Sequence, residues 1–387
     1  MAVGEQTYGF FIPTVSLMGV GSLKELPNQV KALGMKRPLI VTDKGLSKAG
    51  LSDQIVGLVK EAGAEPFIFD EVIPNPTDTN VHDGAKVYAD NKCDSLISLG
   101  GGSPHDAGKG IGLVASNGGK IHDYEGLDQS TKPLPPFIAI NTTAGTASEM
   151  TRFCIITDTS RKVKMAIVDW QVTPNVAIND PVMHKGMPAS LTAATGMDAL
   201  THAIEAYVST AATPVTDACA IKAMELISDN LRGAVANGED MVARDNMAYA
   251  EYLAGMAFNN ASLGHVHAMA HQLGGFYDLP HGVCNAILLP AVERFNMIAK
   301  VDRFVDIAVA LGVPVEGMSK RDAAEKALDA IKQLSSDIGI PAGLSELGVK
   351  EEDLRTMAEN AQKDACGLTN PRCPTEDDVV EIYRSAL

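Results

Sequence analysis

The segment CDSLISLGGGSPHDAGKGIGLVAS, residues 93–116, decides the fold class. Its first half is a short apolar run typical of a buried β-strand, and its second half places apolar residues at helical spacing. Gly100, Gly101 and Gly102 stand between the two halves. A strand that turns tightly into a helix is the building unit of a parallel α/β sheet, so we predict an α/β domain around this segment.

Similar strand and helix patterns flank this segment on both sides. Helical spacing recurs at residues 46–62, 79–91 and 105–115. The strand candidates end in Gly, Asp, Asn or Thr, and in doubly wound sheets ligand-binding loops follow the strand ends. Besides residues 93–102, the strand candidates are PLIVTD (38–43), EPFIFDEV (65–72), PPFIAINTT (135–143) and NVAIND (175–180).

The second half of the chain has a different character. After about residue 187 the strand-like runs stop, and Ala, Met, Leu and charged residues recur with a period of ~3.6 almost to the C-terminus. Pro188 marks the change. We therefore predict a dinucleotide-binding α/β domain over residues 1–187 and an all-helical, metal-binding domain over residues 188–387, with a cleft shared between them.

Composition excludes several classes of protein. The formal net charge of −16 disfavours nucleic acid as a partner. No run reaches the ~18 apolar residues of a membrane helix, and no basic stretch precedes an apolar one at the N-terminus. The six cysteines are scattered without a C-x-x-C motif, which favours thiols in a reducing compartment. We expect a cytoplasmic protein with no membrane partner.

The glycine turn at residues 100–102 suits a phosphate group. Bare backbone N–H groups at the start of a helix, together with the helix dipole, bind a pyrophosphate well. We expect Ser103 to be the N-cap. The motif is neither a Walker loop, because Lys109 is followed by Gly110, nor a G-x-G-x-x-G fingerprint. A tight turn without a ligand stays open as the alternative.

Two further strand ends suit a nucleotide. Asp43 follows the strand at residues 38–43 and is placed to accept hydrogen bonds from ribose hydroxyls, which would favour NAD over NADP. The turn NTTAGTASEMT (141–151) offers Thr142, Thr143 and Thr146, whose small size lets a nucleotide approach the backbone. A plain loop that caps a helix is the alternative reading of that turn.

Carboxylate and imidazole groups recur at metal-ligand spacing in the helical half. Asp198 and His202 are four residues apart, as are His267 and His271, so each pair lies on one helix face with Cβ atoms about 5–6 Å apart. His281 follows ten residues after His271, past a Gly-Gly break, in a predicted loop. His265 lies about 200° around the helix from His267 and should face elsewhere.

Donor chemistry limits the ion without fixing it. One carboxylate with imidazoles can hold Fe(II), Zn(II), Mn(II), Co(II) or Ni(II). Spacing alone also leaves His271 open as a ligand. Glu205 lies one turn beyond His202, and it would either orient an imidazole or, as we expect, be an exposed helix glutamate.

The sequence resembles the metal-dependent, iron-containing alcohol dehydrogenases along nearly its whole length. Within that family it is most similar to 1,3-propanediol dehydrogenases and NAD-dependent methanol dehydrogenases. A series of long motifs in the same order makes the resemblance specific. The motifs are FFIP (10–13), VTDKGL (41–46), PNPTDTNV (74–81), SLGGGSPHDAGKGIG (98–112), NTTAGTASE (141–149), LTAATGMDALTHAIEAY (191–207), MAFNNASLGHVHAMAHQLGG (256–275) and PHGVCNAILLP (280–290).

The resemblance implies a role for each site residue. It assigns the metal to Asp198, His202, His267 and His281, with Fe(II) as the expected ion, and makes His271 a substrate-side catalytic residue. Arg152 and Phe153 fall at positions that vary with substrate specificity in the family. The implied NAD contacts are Asp43, Asn75, Gly101, Gly102, Ser103, Asp106, Thr142, Thr143, Thr146 and Lys164.

The implied function is NAD-dependent oxidation of short-chain primary alcohols or diols to aldehydes, and the reverse reduction. A divalent metal would act as a Lewis acid, and His271 would relay the proton. The alternatives are a glycerol-dehydrogenase-like enzyme on the same fold and a catalytically silent metal- or nucleotide-binding protein. The resemblance also implies a homo-oligomer, a dimer or a decamer, for which an extended edge at residues 7–19 is the expected pairing element.

Overall fold

The computed structural model describes residues 9–11 and 15–387. A six-stranded sheet has the order β1-β9-β6-β4-β2-β3, and all of its neighbouring strands run parallel. A smaller sheet has the order β5-β8-β7. The strands are β1 Val15–Met18, β2 Pro38–Val41, β3 Phe67–Phe69, β4 Ser95–Gly100, β5 Gly126–Leu127, β6 Phe137–Asn141, β7 Phe153–Asp158, β8 Val163–Val168 and β9 Val176–Asn179.

Each of the five predicted strands is present and shorter at its ends than predicted, which confirms the parallel α/β fold class. The predicted edge at residues 7–19 contains β1, which pairs with β9 at one side of the sheet, while residues 7, 8 and 12–14 lie outside the described residues. The sequence analysis missed the antiparallel pair β7 and β8. Both strands follow polar turns, and only every second residue of β7 is fully buried.

Helices make up the rest of the described fold. The predicted helix at residues 46–62 is two helices, because Gly50 adopts a left-handed conformation with φ of 79° between them. No strand follows β9 in the described chain, so the second half is all helical as predicted. The helices are α1 Leu26–Ala32, α2 Lys44–Lys48, α3 Leu51–Glu61, α4 Asp78–Asp90, α5 Gly102–Asn117, α6 Ala189–Val208, α7 Pro214–Ala236, α8 Met241–Ala261, α9 His265–Tyr277, α10 His281–Asn296, α11 Val301–Ala310, α12 Lys320–Asp337, α13 Leu354–Ala361 and α14 Glu376–Ser385.

Successive side chains of a strand point to opposite faces of the large sheet, and each face has its own apolar core. Leu39 and Leu96 pack in one cluster, whereas their neighbours Ile40 and Ile97 pack in another. A sheet covered on both faces needs apolar residues at every strand position, which explains why β2, β4, β6 and β9 are buried throughout. A third and larger cluster fills the helical half.

Two buried glutamates join the α/β half to the helical half. Glu149 accepts a hydrogen bond from Asn179 at the end of β9, and Glu251 of α8 accepts one from the Ala147 backbone at 2.6 Å. Both side chains are fully buried, and burial and each other's proximity raise the pKa of Glu251 well above its usual value. The raised pKa favours the protonated form of the Glu251 carboxyl group.

The raised pKa of Glu251 makes stability depend on pH. A carboxyl whose pKa is raised by folding stabilises the native state fully below its ordinary pKa of 4.5, and that contribution is lost as the pH rises through the native value. We expect Glu251→Gln to flatten the fall in melting temperature of the metal-free protein above about pH 5. Exposed Glu359→Gln is the control. Equal slopes in wild type and Glu251→Gln would contradict the raised pKa of Glu251.

Two expectations from composition bear on the compartment. Among the described helices, none combines the length and the apolar character that a membrane span requires. All six cysteines are free thiols, and four of them are buried.

The last strand of the large sheet ends at Asn179 and α6 begins at Ala189, so the proposed domain boundary at residues 187 and 188 falls between these elements.

Candidate active site

Helix packing brings the predicted metal ligands together. Asp198 and His202 lie one turn apart on α6, and His267 lies on α9. His281 is the first residue of α10, so its prediction as a loop residue was wrong: Pro280 adopts an extended conformation and the helix begins directly after it. Helix α10 packs against both α6 and α9, which brings the four side chains together.

The donor atoms of Asp198, His267 and His281 all lie within 4.8 Å of one another, as one ion requires, and His202 adjoins this group through Asp198. Asp198 Oδ1 lies 3.5 Å from His281 Nε2, 3.6 Å from His267 Nε2 and 3.9 Å from His202 Nε2. Ligand atoms around a tetrahedral ion with bonds of about 2.1 Å are about 3.4 Å apart. The three imidazoles lower the pKa of Asp198 although burial alone would raise it, so the carboxylate is charged.

Asn285 of α10 lies against the same atoms. Its Nδ2 is 2.7 Å from Asp198 Oδ1 and 3.1 Å from Nε2 of both His267 and His281. The cluster is therefore rich in acceptors and poor in donors. Asn285 Oδ1 and His281 Nδ1 are buried and find no hydrogen-bond partner among the described residues. A divalent cation fits such a set, because borderline metals prefer imidazole nitrogen together with one carboxylate oxygen.

Glu205 orients His267. It is buried with only 1% of its surface exposed, so the expectation of an exposed glutamate was wrong. Its Oε2 pairs with His267 Nδ1, and its Oε1 accepts hydrogen bonds from the backbone N–H groups of Val266 and His267 at the start of α9. Glu205 and Asp198 raise the pKa of His267 to about 9 although burial lowers it.

We expect Glu205→Gln to weaken metal binding by about 10- to 100-fold while the fold is kept, because a neutral amide no longer makes the His267 ring more basic. The dissociation constant of the metal, measured by competition with a chelator, tests this. Glu359→Gln, on the exposed face of α13, should bind metal as the wild type does. An unchanged dissociation constant for Glu205→Gln would show that Glu205 serves only to cap α9.

His271 lies next to this cluster but pairs with a different residue. Its Nδ1 is 2.8 Å from Asp364 Oδ2, and its ring is stacked on that of His281 with centroids 5.4 Å apart. Burial alone would raise the pKa of Asp364, but the charge of His271 and its hydrogen bond lower it. The other ring nitrogen of His271, Nε2, takes no part in the contact with Asp364. His265 faces elsewhere as expected, because its buried ring contacts Gly367.

The glycine turn connects β4 to α5. Gly101 is the N-cap of α5 and Gly102 its first residue, so the expectation that Ser103 caps the helix was wrong. A side chain at Gly101 would collide with Thr143, since an added Cβ would lie 2.7 Å from its Oγ1. The two polar turns after β4 and β6 therefore touch, and the start of α5 is left with bare backbone N–H groups.

The other predicted nucleotide contacts are divided between the cleft and the sheet edge. Asp106 is held in place by Ser148 and by the Ile155 backbone. Asp43 caps α2 by accepting hydrogen bonds from Gly45 and Leu46 through Oδ1, and its second carboxylate oxygen takes no part in this cap. Asn75, Gly102, Ser103, Asp106, Thr146 and Lys164 line the cleft, whereas Asp43, Gly101, Thr142 and Thr143 are outside its lining and follow the carboxyl ends of β2, β4 and β6.

One cleft of about 440 Å³ joins the metal cluster to the glycine turn. Asp198, His202, His267, His271 and His281 form one end, and Gly102 and Ser103 form the other. Lys164 of β8 lies in the same wall, which is why the missed β7–β8 pair matters to the site. Burial lowers the pKa of Lys164. The arrangement suits an extended ligand. One part of it would lie at the imidazoles, and its phosphates would lie at the glycine turn.

Comparison with known proteins identifies the family. The family described as "Iron-containing alcohol dehydrogenase" matches residues 13–181, and the "Fe-containing alcohol dehydrogenase family, C-terminal" matches residues 192–387. The chain belongs to the iron-containing alcohol dehydrogenase family. It is therefore an alcohol dehydrogenase, which disfavours the catalytically silent alternative.

Relatives within this family are similar over their full length. A 1,3-propanediol dehydrogenase of Citrobacter freundii is 54% identical over 98% of this chain and 99% of its own. An NAD-dependent methanol dehydrogenase of Bacillus methanolicus is 52% identical over 98% and 99%. The crystal structure of a 1,3-propanediol oxidoreductase superposes with a TM-score of 0.97, at 54% identity, over 99% of this chain and 100% of that one.

Proposed function

We propose that the protein oxidises short-chain primary alcohols or diols to aldehydes with NAD and one divalent metal, and catalyses the reverse reduction. The observation that carries this proposal is the convergence of Asp198, His202, His267 and His281 on one end of a cleft that reaches the glycine turn. We propose these four as the ligands and Fe(II) as the ion, with Zn(II), Mn(II), Ni(II) or Co(II) able to replace it.

A divalent ion in this set would supply Lewis acidity toward an alcohol oxygen, which favours loss of its proton. NAD in the cleft would supply the hydride acceptor. The protein itself orients the ligands and limits the access of water to them. Phe153 and Phe258 cover the cluster on one side, and the Phe258 ring is stacked on His202 with centroids 4.2 Å apart. This apolar wall beside the cluster would keep water away from hydride transfer.

We propose His271 as the group that moves the alcohol proton. Asp364 binds its Nδ1, which sets the tautomer and leaves Nε2 to accept the proton in the cleft. The His271 ring is 7% exposed and lines the same cleft as Leu368, which is 83% exposed, so the cleft that would receive the proton is open to solvent. Among the described residues Asp198 has a nitrogen of His202, His267 and His281 within 4.0 Å but none of His271, so we assign His271 to proton transfer rather than to metal binding.

The NAD contacts that we propose are the ten predicted residues. The start of α5 would hold the pyrophosphate, and Lys164 would face the nicotinamide ribose. The second carboxylate oxygen of Asp43 takes no part in the α2 cap. It would accept hydrogen bonds from the ribose hydroxyls, and its charge would repel the extra phosphate of NADP. Relatives named as an NAD-dependent methanol dehydrogenase and a 1,3-propanediol dehydrogenase support the cofactor and the substrate class.

Reconstitution tests the proposal directly. Metal-free protein is loaded with Fe(II), Zn(II), Mn(II), Co(II) or Ni(II), and NAD reduction is followed with methanol, ethanol, 1-butanol, glycerol and 1,3-propanediol. We expect turnover of at least one primary alcohol or diol, fastest with Fe(II), and little with NADP. Glycerol as the sole substrate would favour the glycerol-dehydrogenase-like alternative. NADH production from no pairing of metal and alcohol would overturn the proposal.

We also propose a cytoplasmic homo-oligomer, a dimer or a decamer. Strand β1 lies at the edge of the large sheet, and Val15 there is 56% exposed, which supports pairing through this edge. Light scattering of the purified protein distinguishes monomer, dimer and decamer. A monomer at micromolar concentration would contradict the proposal.

A further inference from the structure

Arg152 is an unpaired cation in the cleft. Seven of the arginines form ion pairs with carboxylates, among them Arg37, Arg161 and Arg303. The guanidinium of Arg152 has no carboxylate oxygen within 4.0 Å in the described chain, and its buried Nε donates no hydrogen bond there. Burial lowers the pKa of Arg152, with a weaker opposing effect from Asp128.

The backbone fixes Arg152 at the metal end of the cleft. Its N–H donates to Asn259 Oδ1 at 3.0 Å, and its C=O accepts from the Asp169 N–H. Asn259 follows Phe258, whose ring is stacked on His202. Arg152 therefore belongs to the part of the cleft wall that adjoins Phe258 and His202.

The surroundings of Arg152 are mostly apolar. Phe153, Phe258, Leu263 and Leu368 line the cleft near it, and the Phe11 ring packs against its guanidinium at 4.2 Å. A cation in such a lining strengthens any interaction with an anion, because little water competes for it. A guanidinium also matches the two oxygens of a carboxylate in a bidentate pair. The net charge of −16 repels anions from the protein as a whole. An anion must therefore be bound by a nearby positive charge, and Arg152 supplies one in the cleft.

We propose that Arg152 determines specificity by binding the carboxylate of an ω-hydroxy acid or of the corresponding semialdehyde. The inference rests on the proposed function, since the hydroxyl or aldehyde end of such a substrate would lie at the metal cluster. The apolar chain between the two ends would pass Phe153 and Phe258. The reaction is the same alcohol and aldehyde interconversion, and the carboxylate takes no part in it.

Paired substrates test this inference with the Fe(II)-loaded enzyme and NADH. The semialdehydes of malonate, succinate and glutarate are compared with propanal, butanal and pentanal. We expect at least one semialdehyde to exceed its neutral counterpart in kcat/KM by about 10-fold, and Arg152→Met to reverse that ratio by roughly 10- to 100-fold, chiefly through KM. Arg152→Lys should fall between them, because it keeps the charge and loses the bidentate geometry. Exposed Arg321→Met is the matched control.

Equilibrium binding gives a second readout that does not depend on turnover. By isothermal titration calorimetry, 4-hydroxybutyrate should bind the wild-type protein more tightly than 1-butanol does, and Arg152→Met should remove the difference. A preference for the neutral aldehyde at every chain length, or the same ratio in Arg152→Met as in wild type, would overturn the inference. Failure of the proposed function looks different: none of the six aldehydes is then reduced, and both proposals fall.

Discussion

A His267→Ala variant is expected to lose its metal and its activity together. His267 is 1% exposed and faces Asp198 with Nε2 and Glu205 with Nδ1. Its removal takes one of the four proposed ligands and leaves the buried Glu205 without its imidazole partner. A metal ion supplies several kcal/mol of transition-state stabilisation, so we expect a loss of roughly 10³-fold or more in kcat/KM. Metal content by mass spectrometry and NADH production are measured on the same sample.

His265→Ala is the matched control for this variant. It removes the same side chain two residues earlier on α9, from a ring that is buried against Gly367 and away from the cluster. We expect this variant to keep stoichiometric metal, with a stability loss from the cavity of about 2–4 kcal/mol. Full metal content in His267→Ala would show that His267 is not a ligand. Metal loss in both variants would show that damage to α9, and not loss of a ligand, is the cause.

A His271→Ala variant is expected to keep its metal and lose rate. The ring pairs with Asp364 and not with Asp198, so its removal leaves the four predicted ligands in place. Removal of a positioned proton acceptor costs about 10²- to 10⁴-fold in rate. We expect the loss in kcat for alcohol oxidation, with partial recovery when imidazole is added to the assay. Metal loss in His271→Ala would make His271 a ligand and contradict its assignment to proton transfer.

Asp364→Asn tests the same pair from the other side. In the wild type, Asp364 Oδ1 accepts a hydrogen bond from the Cys366 N–H. The asparagine amide oxygen can accept the same hydrogen bond, so the turn after residue 364 should be kept. The amide no longer offers His271 Nδ1 a charge, and we expect a loss of about 10-fold in kcat. If Asp364 acts through His271, the double variant His271→Ala with Asp364→Asn should be no slower than His271→Ala alone. Additive losses would mean that the two residues act independently.

Much of this protein could be predicted from short stretches of sequence. The run from Ser95 to Gly102 specifies a buried strand and a glycine turn, because alternation and the freedom of glycine are local properties. The pairs Asp198 with His202 and His267 with His271 follow from the helical repeat in the same way. The fold class and the donor pairs on α6 and α9 therefore needed no tertiary information.

Tertiary structure decided which partner each of these groups has. Glu205 and His267 are 62 residues apart, and His271 and Asp364 are 93 apart, so no local pattern connects them. Spacing left His271 open as a ligand, and it predicted an exposed Glu205, because a helical repeat defines faces without saying what covers them. Helix α10 packs on α6 and α9 and Glu205 is buried beside His267, whereas the packing of α13 on α9 brings Asp364, which follows α13, to His271. The sequence by itself determined the elements and their donor faces, whereas the contacts between helices decided which donors orient the others.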